Sequence, residues 1–325
     1  MTLVRIVKDW DWPDLMRQTP GHKGVWDGIQ FTTDPVEECD FLLMLNNRMK
    51  TDINVRCQKD HIWAIMQEPY VKGFNDWMVE GHGFFSRVFT HHVPGQEGKY
   101  VVSQPAIPWH INRSFDELIS CSVPDKPKKL SWIVGHARDL PGHMKRLAFL
   151  RLLQADRSLD IDLFGRAIHY IEDKWDGLAP YRYSLAVENS SSPDYWTEKI
   201  GDCFLTWTVP LYWGCTNLER YFPPDAFIRI DISEPRKTLD FIKRVIDEDD
   251  REKRLPALEE AREKILYNYQ LFPHIANIVK SEAVAKTAGS FHTIPAYRRS
   301  IKTSIHRVLY KVKRMFIELT YLTKL

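Results

Sequence analysis

Short apolar runs rich in branched and aromatic side chains recur through the first third of the chain and leave few folds open. "LVRIV" at 3–7, "FLLML" at 41–45, "HIWAIM" at 61–66 and "SRVFTHH" at 86–92 read as strands. Segments of mixed polarity separate them, which is the pattern of parallel strands joined by crossovers. A proline-bearing stretch, "SCSVPDKPKKLSW" at 120–132, reads as a linker, because VPDKP continues neither a helix nor a central strand. A second alternating series follows it. Its expected strands are "LSWIVG" (130–135), "IDLFG" (161–165), "YSLAVEN" (183–189), "TVPLYWG" (208–214) and "AFIRID" (226–231). A helix over 142–155 offers Met144, Leu147, Phe149, Leu150 and Leu153 for burial. The expectation is an α/β chain of two doubly wound units, a description that several two-domain folds satisfy. The boundaries implied are 1–125, 126–290 and a tail over 291–325.

Composition narrows the function classes. A chain of 325 residues that is 44% hydrophobic and 27% charged has the balance of an ordered globular protein. With 45 Lys and Arg against 43 Asp and Glu, no global charge draws it to nucleic acid. Eleven tryptophans against fifteen glycines serve either a bulky core or aromatic clefts. Five dispersed cysteines without a CxxC pair fit a reducing compartment and point to neither a zinc site nor a disulfide scaffold. The opening "MTLVRIVKDWDWPD" lacks the apolar centre of a signal peptide, and no run of about 18 apolar residues occurs, so a cytoplasmic protein is expected.

From about residue 238 the pattern turns helical and strongly charged, which reads as a solvated face. The last segment, from Arg298, differs. Ile301, Ile305, Val308, Leu309, Val312, Phe316 and Leu319 recur at helical spacing beside Arg298, Arg299, Lys302, Arg307, Lys311, Lys313 and Arg314. Such a basic amphipathic helix suits an anionic membrane surface; the alternative is a helix packed on the domain with a solvated basic face.

The densest chemistry lies in "ENSSSPDYWTEKIGDCF" at 188–204. If "YSLAVEN" is a buried strand, Glu188 and Asn189 stand at its carboxyl end, where open α/β sheets place ligands. A helix then starts at Ser192-Pro193 or at Thr197, and either start turns free backbone N–H groups outward to receive a phosphate. Lys199 adds a mobile positive charge, Tyr195 a hydroxyl donor and Glu198 an acceptor for ribose or sugar hydroxyls. The bland alternative is a capping cluster with a solvated lysine.

Residues 181–231, "YRYSLAVENSSSPDYWTEKIGDCFLTWTVPLYWGCTNLERYFPPDAFIRID", resemble the donor-binding signature of glycosyltransferase family 10, the α-1,3/4-fucosyltransferases. The shared pieces are ENS after an aromatic-rich strand, YxTEK, VPxYWG and YFPPDAFI; "IDLFGR" is similar to the family's short strand ending in aromatic-Gly-Arg. Val187 stands where the family has phenylalanine. The resemblance implies a GT-B fold, two Rossmann-like domains facing a cleft, here with the C-terminal basic amphipathic helix added. It implies GDP-fucose as donor and inverting, metal-independent transfer to a hydroxyl of a glycan acceptor, with α-1,3 linkage to a GlcNAc-type residue as the expected product. By the same resemblance Tyr195, Lys199 and Arg146 meet the nucleotide phosphates and Glu198 the ribose. Another GDP-hexose donor, or a silent sugar-nucleotide-binding homologue, are the rival readings. The missing anchor and the cysteine usage look like a bacterial member acting at the inner face of a membrane, unlike the anchored Golgi members.

Inversion needs one general base within reach of the attacking hydroxyl. Glu68, in "IWAIMQEPY", follows an expected buried strand and is similar in context to the family's base, with Asp76 and Glu80 as substitutes. Acceptor recognition is expected from aromatic loops of the first domain, including Trp63, Tyr70 and Trp77. Other signals are set aside. "DID" at 160–162 reads as part of a strand, adjacent His91 and His92 point to opposite faces, and Gly135 and Gly142 form no dinucleotide fingerprint, so no metal site is expected.

Overall fold

The computed structural model describes residues 1–95, 98–282 and 289–323, with side chains described through Phe316 in the last helix. In chain order the strands of the first part are β1 (Thr2–Val7), β2 (Val25–Trp26), β3 (Ile29–Thr32), β4 (Phe41–Leu45), β5 (Ile53–Cys57), β6 (Ile62–Ile65), β7 (Arg87–Thr90) and β8 (Tyr100–Val102). Then come α1 (Phe115–Ser120), β9 (Lys128–Ile133), α2 (Pro141–Ala155), β10 (Asp162–Phe164), β11 (Tyr181–Val187), α3 (Glu198–Leu205), β12 (Val209–Trp213) and β13 (Ile228–Arg229). The chain closes with α4 (Pro235–Glu248), α5 (Arg251–Lys264), α6 (Leu271–Ser281), β14 (Ser290–Ile294) and α7 (Ile301–Thr323).

Two compact units result. The first holds 1–108, 114–116 and 269–314; the second holds 109–113, 117–268 and the residues from 315. The sheet of the first unit runs β2-β3-β1-β4-β6-β7-β8, parallel except for the β2–β3 pair. Its central strands are apolar on both faces, as the sequence runs imply. Phe41, Leu43 and Leu45 of β4 enter one core with Trp63 and Ile65 of β6, while Leu42 and Met44 enter the other with Ile62 and Ala64.

These units depart from the expected boundaries at 125/126 and 290/291. The cause is α6, whose Leu271, Phe272, Ile275, Ala276 and Val279 are buried in the first core together with Val4, Phe31 and Phe41. Helix formation there serves the beginning of the chain. The residues beyond 290 are not a free tail either: β14 pairs antiparallel with β5, and Glu80 accepts hydrogen bonds from Ser300 Oγ (3.0 Å) and Thr303 Oγ1 (3.0 Å) at the start of α7.

The second unit has an all-parallel sheet in the order β10-β9-β11-β12-β13. Tyr181, Tyr183, Trp132 and Tyr212 are buried around it, so a share of the aromatic excess is core. On α2, Phe149, Leu150 and Leu153 are buried as expected, whereas Met144 and Leu147 are only half-buried and Arg146 takes an inward place. Among the described residues no helix is long and apolar enough to cross a membrane.

Candidate functional site

β11 delivers its carboxyl end into a turn that is laced before α3 begins. Glu188, the first residue beyond the strand, is completely buried, and its N–H donates to the Trp213 carbonyl at 2.9 Å. Its carboxylate accepts the Thr197 N–H at 2.8 Å, the Thr197 hydroxyl at 3.0 and 2.8 Å, and the Lys199 ammonium at 3.2 Å. These contacts fill its acceptor positions and make Glu188 the organiser of the turn rather than a ligand-facing group. Gly214 is required beside it, since a Cβ there would stand 2.4 Å from Glu188 Cγ.

The rest of the turn is fixed in the same manner. Asp194 sits at φ 59°, a left-handed conformation that aspartate tolerates. Its N–H donates to Asn217 Oδ1 (2.8 Å), while Asn217 Nδ2 (2.9 Å) and the Tyr221 hydroxyl (2.7 Å) donate to its carboxylate. Of the two helix starts considered, the chain uses Thr197, whose side chain accepts the Lys199 N–H at 3.4 Å. Lys199 is not the mobile charge expected, because its ammonium also lies 3.0 Å from Thr197 Oγ1 and 3.4 Å from Glu198 Oε1.

The first turn of α2 rests on this loop. A Cβ at Gly142 would meet the Asn189 carbonyl oxygen at 2.0 Å, so only glycine permits the approach. Arg146, one turn along and 4% exposed, donates to Asn189 Oδ1 (2.7 Å) and to the Gly135 carbonyl (3.2 Å). Its Nε is buried with no acceptor among the described residues. Burial lowers its pKa, and Glu188, Glu198 and the Tyr195 hydroxyl act against that shift. Tyr195 itself is 1% exposed. Burial, with Arg146 nearby, pushes His143 down to about 4, which leaves it neutral.

Glu198 is countered from more than one side. Lys174 Nζ lies 3.3 Å and His110 Nδ1 3.7 Å from its Oε1, in addition to Lys199. Burial opposes its charge, yet Lys199, Lys174 and His110 hold its carboxyl well below the usual range. Asp202, one turn further along α3, takes Lys174 Nζ at 3.1 Å and the His110 N–H at 2.8 Å. The structure thus assembles Arg146, Glu188, Asn189, Tyr195, Glu198 and Lys199 and adds Lys174, His110, Asp202 and His143. No local signal marks the added four. Lys174 sits in polar "IEDKWDG", which reads as an ordinary solvated loop.

Glu68 belongs to the first unit. It follows β6 on a backbone pinned by the Gln67 N–H to Asn46 Oδ1 bond (2.8 Å), and it is exposed. Glu80 is committed to α7, and Asp76 is buried with Oδ1 accepting the Gly73 N–H at 2.9 Å. Trp63 and Trp77, expected in acceptor loops, are core residues at 0% and 3% exposure. Tyr70 is half-buried and stacks on His92 at 4.3 Å. Asp162 of the "DID" stretch is occupied by the Tyr181 hydroxyl (2.6 Å) and Lys128 (2.9 Å).

Two α/β units with parallel sheets, one of them gathering cations and carboxylates at its strand ends, match the GT-B fold of solved structures. A solved α1,3-fucosyltransferase described as being with GDP shares it, with a TM-score of 0.50, 15% identity, and 86% of this chain and 90% of that chain covered. A second α1,3-fucosyltransferase structure gives a TM-score of 0.50 and 16% identity over 90% of this chain and 92% of that chain. Residues 123–254 match the model of glycosyltransferase family 10 (fucosyltransferase), C-term. Among curated relatives, the 4-galactosyl-N-acetylglucosaminide 3-alpha-L-fucosyltransferase FUT6 of Pongo pygmaeus is 33% identical over 129 residues, which is 38% of this chain and 34% of that protein. The corresponding fucosyltransferase 9 of Homo sapiens is 32% identical over the same shares. The chain therefore matches about a third of the length of these curated relatives.

Proposed function

We propose that the chain transfers L-fucose from GDP-fucose to a hydroxyl of a glycan acceptor, α-1,3 on a GlcNAc-type residue, with inversion and without a metal. The observation that carries this reading is that the family 10 segment, 123–254, contains every residue of the polar cluster except His110. In this reading Arg146 and Lys199 offset the charge that grows on the diphosphate as the glycosidic bond breaks, with the Tyr195 hydroxyl and Asn189 beside them. Glu198, ionised, accepts the ribose hydroxyls. Glu188 keeps Thr197 and Lys199 in place. Glu68 takes the proton of the attacking acceptor hydroxyl.

The reading extends to location. On α7, Ile301, Ile305, Val308, Leu309, Val312 and Phe316 are all about half exposed or more, flanked by Lys302, Arg307, Lys311 and Lys313. Leu319, the last residue of the expected stripe, lies outside the described side chains. Such a face suits an anionic membrane, and five free cysteines suit the cytoplasmic side of it.

The test is calorimetric titration with GDP in EDTA, followed by transfer assays with GDP-fucose. Lys199→Ala should weaken GDP binding by roughly 10–100-fold, the scale of a lost hydrogen bond to a charged group. Glu68→Gln should keep GDP binding and lose transfer by about a hundredfold or more. Absent GDP binding, or binding that requires added metal, would overturn the donor assignment. Near wild-type transfer by Glu68→Gln would remove Glu68 from its role.

A further inference from the structure

Lys174 stands on the short turn Lys174–Gly177, outside the sheet and 24 residues before Glu198. Its backbone is lashed in place from two sides. Asp173 accepts the Trp175 N–H (2.9 Å), the Asn112 N–H (2.9 Å) and Arg113 Nη1 (3.0 Å), and the Arg113 guanidinium lies over the Trp175 ring at 4.6 Å. The same 109–113 segment sends the His110 N–H to Asp202. The outcome is an ammonium aimed at two carboxylates on one face of α3, 3.3 Å from Glu198 Oε1 and 3.1 Å from Asp202 Oδ2. Asp202 is 1% exposed, so it serves the lysine rather than solvent.

We infer that Lys174 is a positioning residue: backed by Asp202, it holds the Glu198 carboxylate ionised and in one orientation for the ribose hydroxyls of a nucleoside diphosphate. The inference rests on the reading of Glu198 given above. Lys199 cannot fill this place alone. It is already bound to Glu188 and Thr197, and a diphosphate competes for its charge. Once Lys199 turns toward phosphate, Glu198 keeps Lys174 at 3.3 Å as its near cation and the His110 ring at 3.7 Å, with Arg146 further off and Glu188 and Asp202 as like charges.

The experiment compares binding of GDP, 2′-deoxy-GDP and 3′-deoxy-GDP to the full chain by calorimetry. Wild type should prefer GDP by roughly tenfold or more over at least one deoxy analogue, as expected when a charged acceptor loses its hydroxyl partner. Lys174→Met should bring that ratio near unity while GDP itself still binds, and Lys174→Arg should restore most of it. A purely structural lysine would shift melting temperature and overall affinity but not the ratio. Because Lys174→Met leaves Asp202 buried without its ammonium, the double variant Lys174→Met with Asp202→Asn is measured as well. An undiminished preference in either variant overturns the inference, as does a wild type that binds GDP without discriminating. A wild type that binds no GDP overturns instead the reading on which it rests.

Discussion

Glu188 and Glu198 answer to the same lysine and are driven in opposite directions. Burial dominates at Glu188 and raises its pKa, whereas at Glu198 the influence of Lys199, Lys174 and His110 overcomes burial. Residue-scale pH dependence is read more simply from two histidines, His143 buried and His274 half-buried by surface area. Burial lowers His143 and His274 from 6.5 to about 4, and His274 lies 3.0 Å from Ser103 Oγ. Between those values the unfolded chain binds protons that the folded chain refuses. Stability is therefore full above about pH 6.5 and falls as pH drops toward 4, by up to about 3 kcal/mol for each histidine. Denaturant titrations at pH 7 and pH 4.5 should show this loss, and His274→Gln should show less of it. An unchanged pH difference in the variant would rule out His274 as a source. A second residue-scale expectation concerns Gly142: Gly142→Ala should weaken GDP binding by tenfold or more, because the added methyl would overlap the Asn189 carbonyl and displace the first turn of α2.

At the scale of elements, α7 turns a narrow face to the first unit. Thr303 is buried against Glu80, Tyr310 meets Phe74 with ring centroids 5.8 Å apart, and the His306 backbone passes Gly73. The apolar stripe points elsewhere and stays exposed, so one face of the helix packs on the unit and the other is the face proposed for a membrane surface. Sedimentation with vesicles rich in anionic lipid should capture the full chain, and replacing Val308, Leu309 and Val312 by serine should abolish capture. Capture independent of salt and of these residues would refute the surface reading. What made elements legible was local pattern. "FLLML" and "HIWAIM" were recognisable because both faces of a central strand are apolar, and Thr197 was one of two readable helix starts. β5 was not legible, since Asn54 and Arg56 interrupt it and its partner β14 lies more than 230 residues away in the chain. The charged run after 238 was only partly a solvated face: Arg251 and Arg262 are buried, the latter over the Trp207 ring at 5.2 Å. Lys174 was hidden for a related reason, because its partners are set by tertiary approach and a lysine in a polar loop carries no sign of that.

At the scale of the whole molecule, the sequence revealed two α/β series but not that the chain returns to the first after completing the second. The return is energetically substantial. Leu271, Phe272, Ile275 and Val279 of α6 are buried, at about 1.5–3 kcal/mol each, a sum comparable to the stability of an ordinary domain, and Ala276 adds a smaller share. Phe272→Ala should cost about 3–5 kcal/mol, read as a lower denaturation midpoint for the first unit. GDP binding, which the proposed function assigns to residues of the second unit, should persist where that unit stays folded. Simultaneous loss of both would mean that the two units unfold as one.

The return of α6 also sets an order of events during synthesis. The second unit draws almost all of its core from one unbroken stretch, 117–268, and has what it needs as soon as that stretch leaves the ribosome. The first unit, although its strands emerge earliest, must wait with an uncovered apolar sheet face until residue 279 has been made. Of the two units, the one whose strands are translated earlier is in this sense finished later, and its nascent strands expose apolar surface in the meantime.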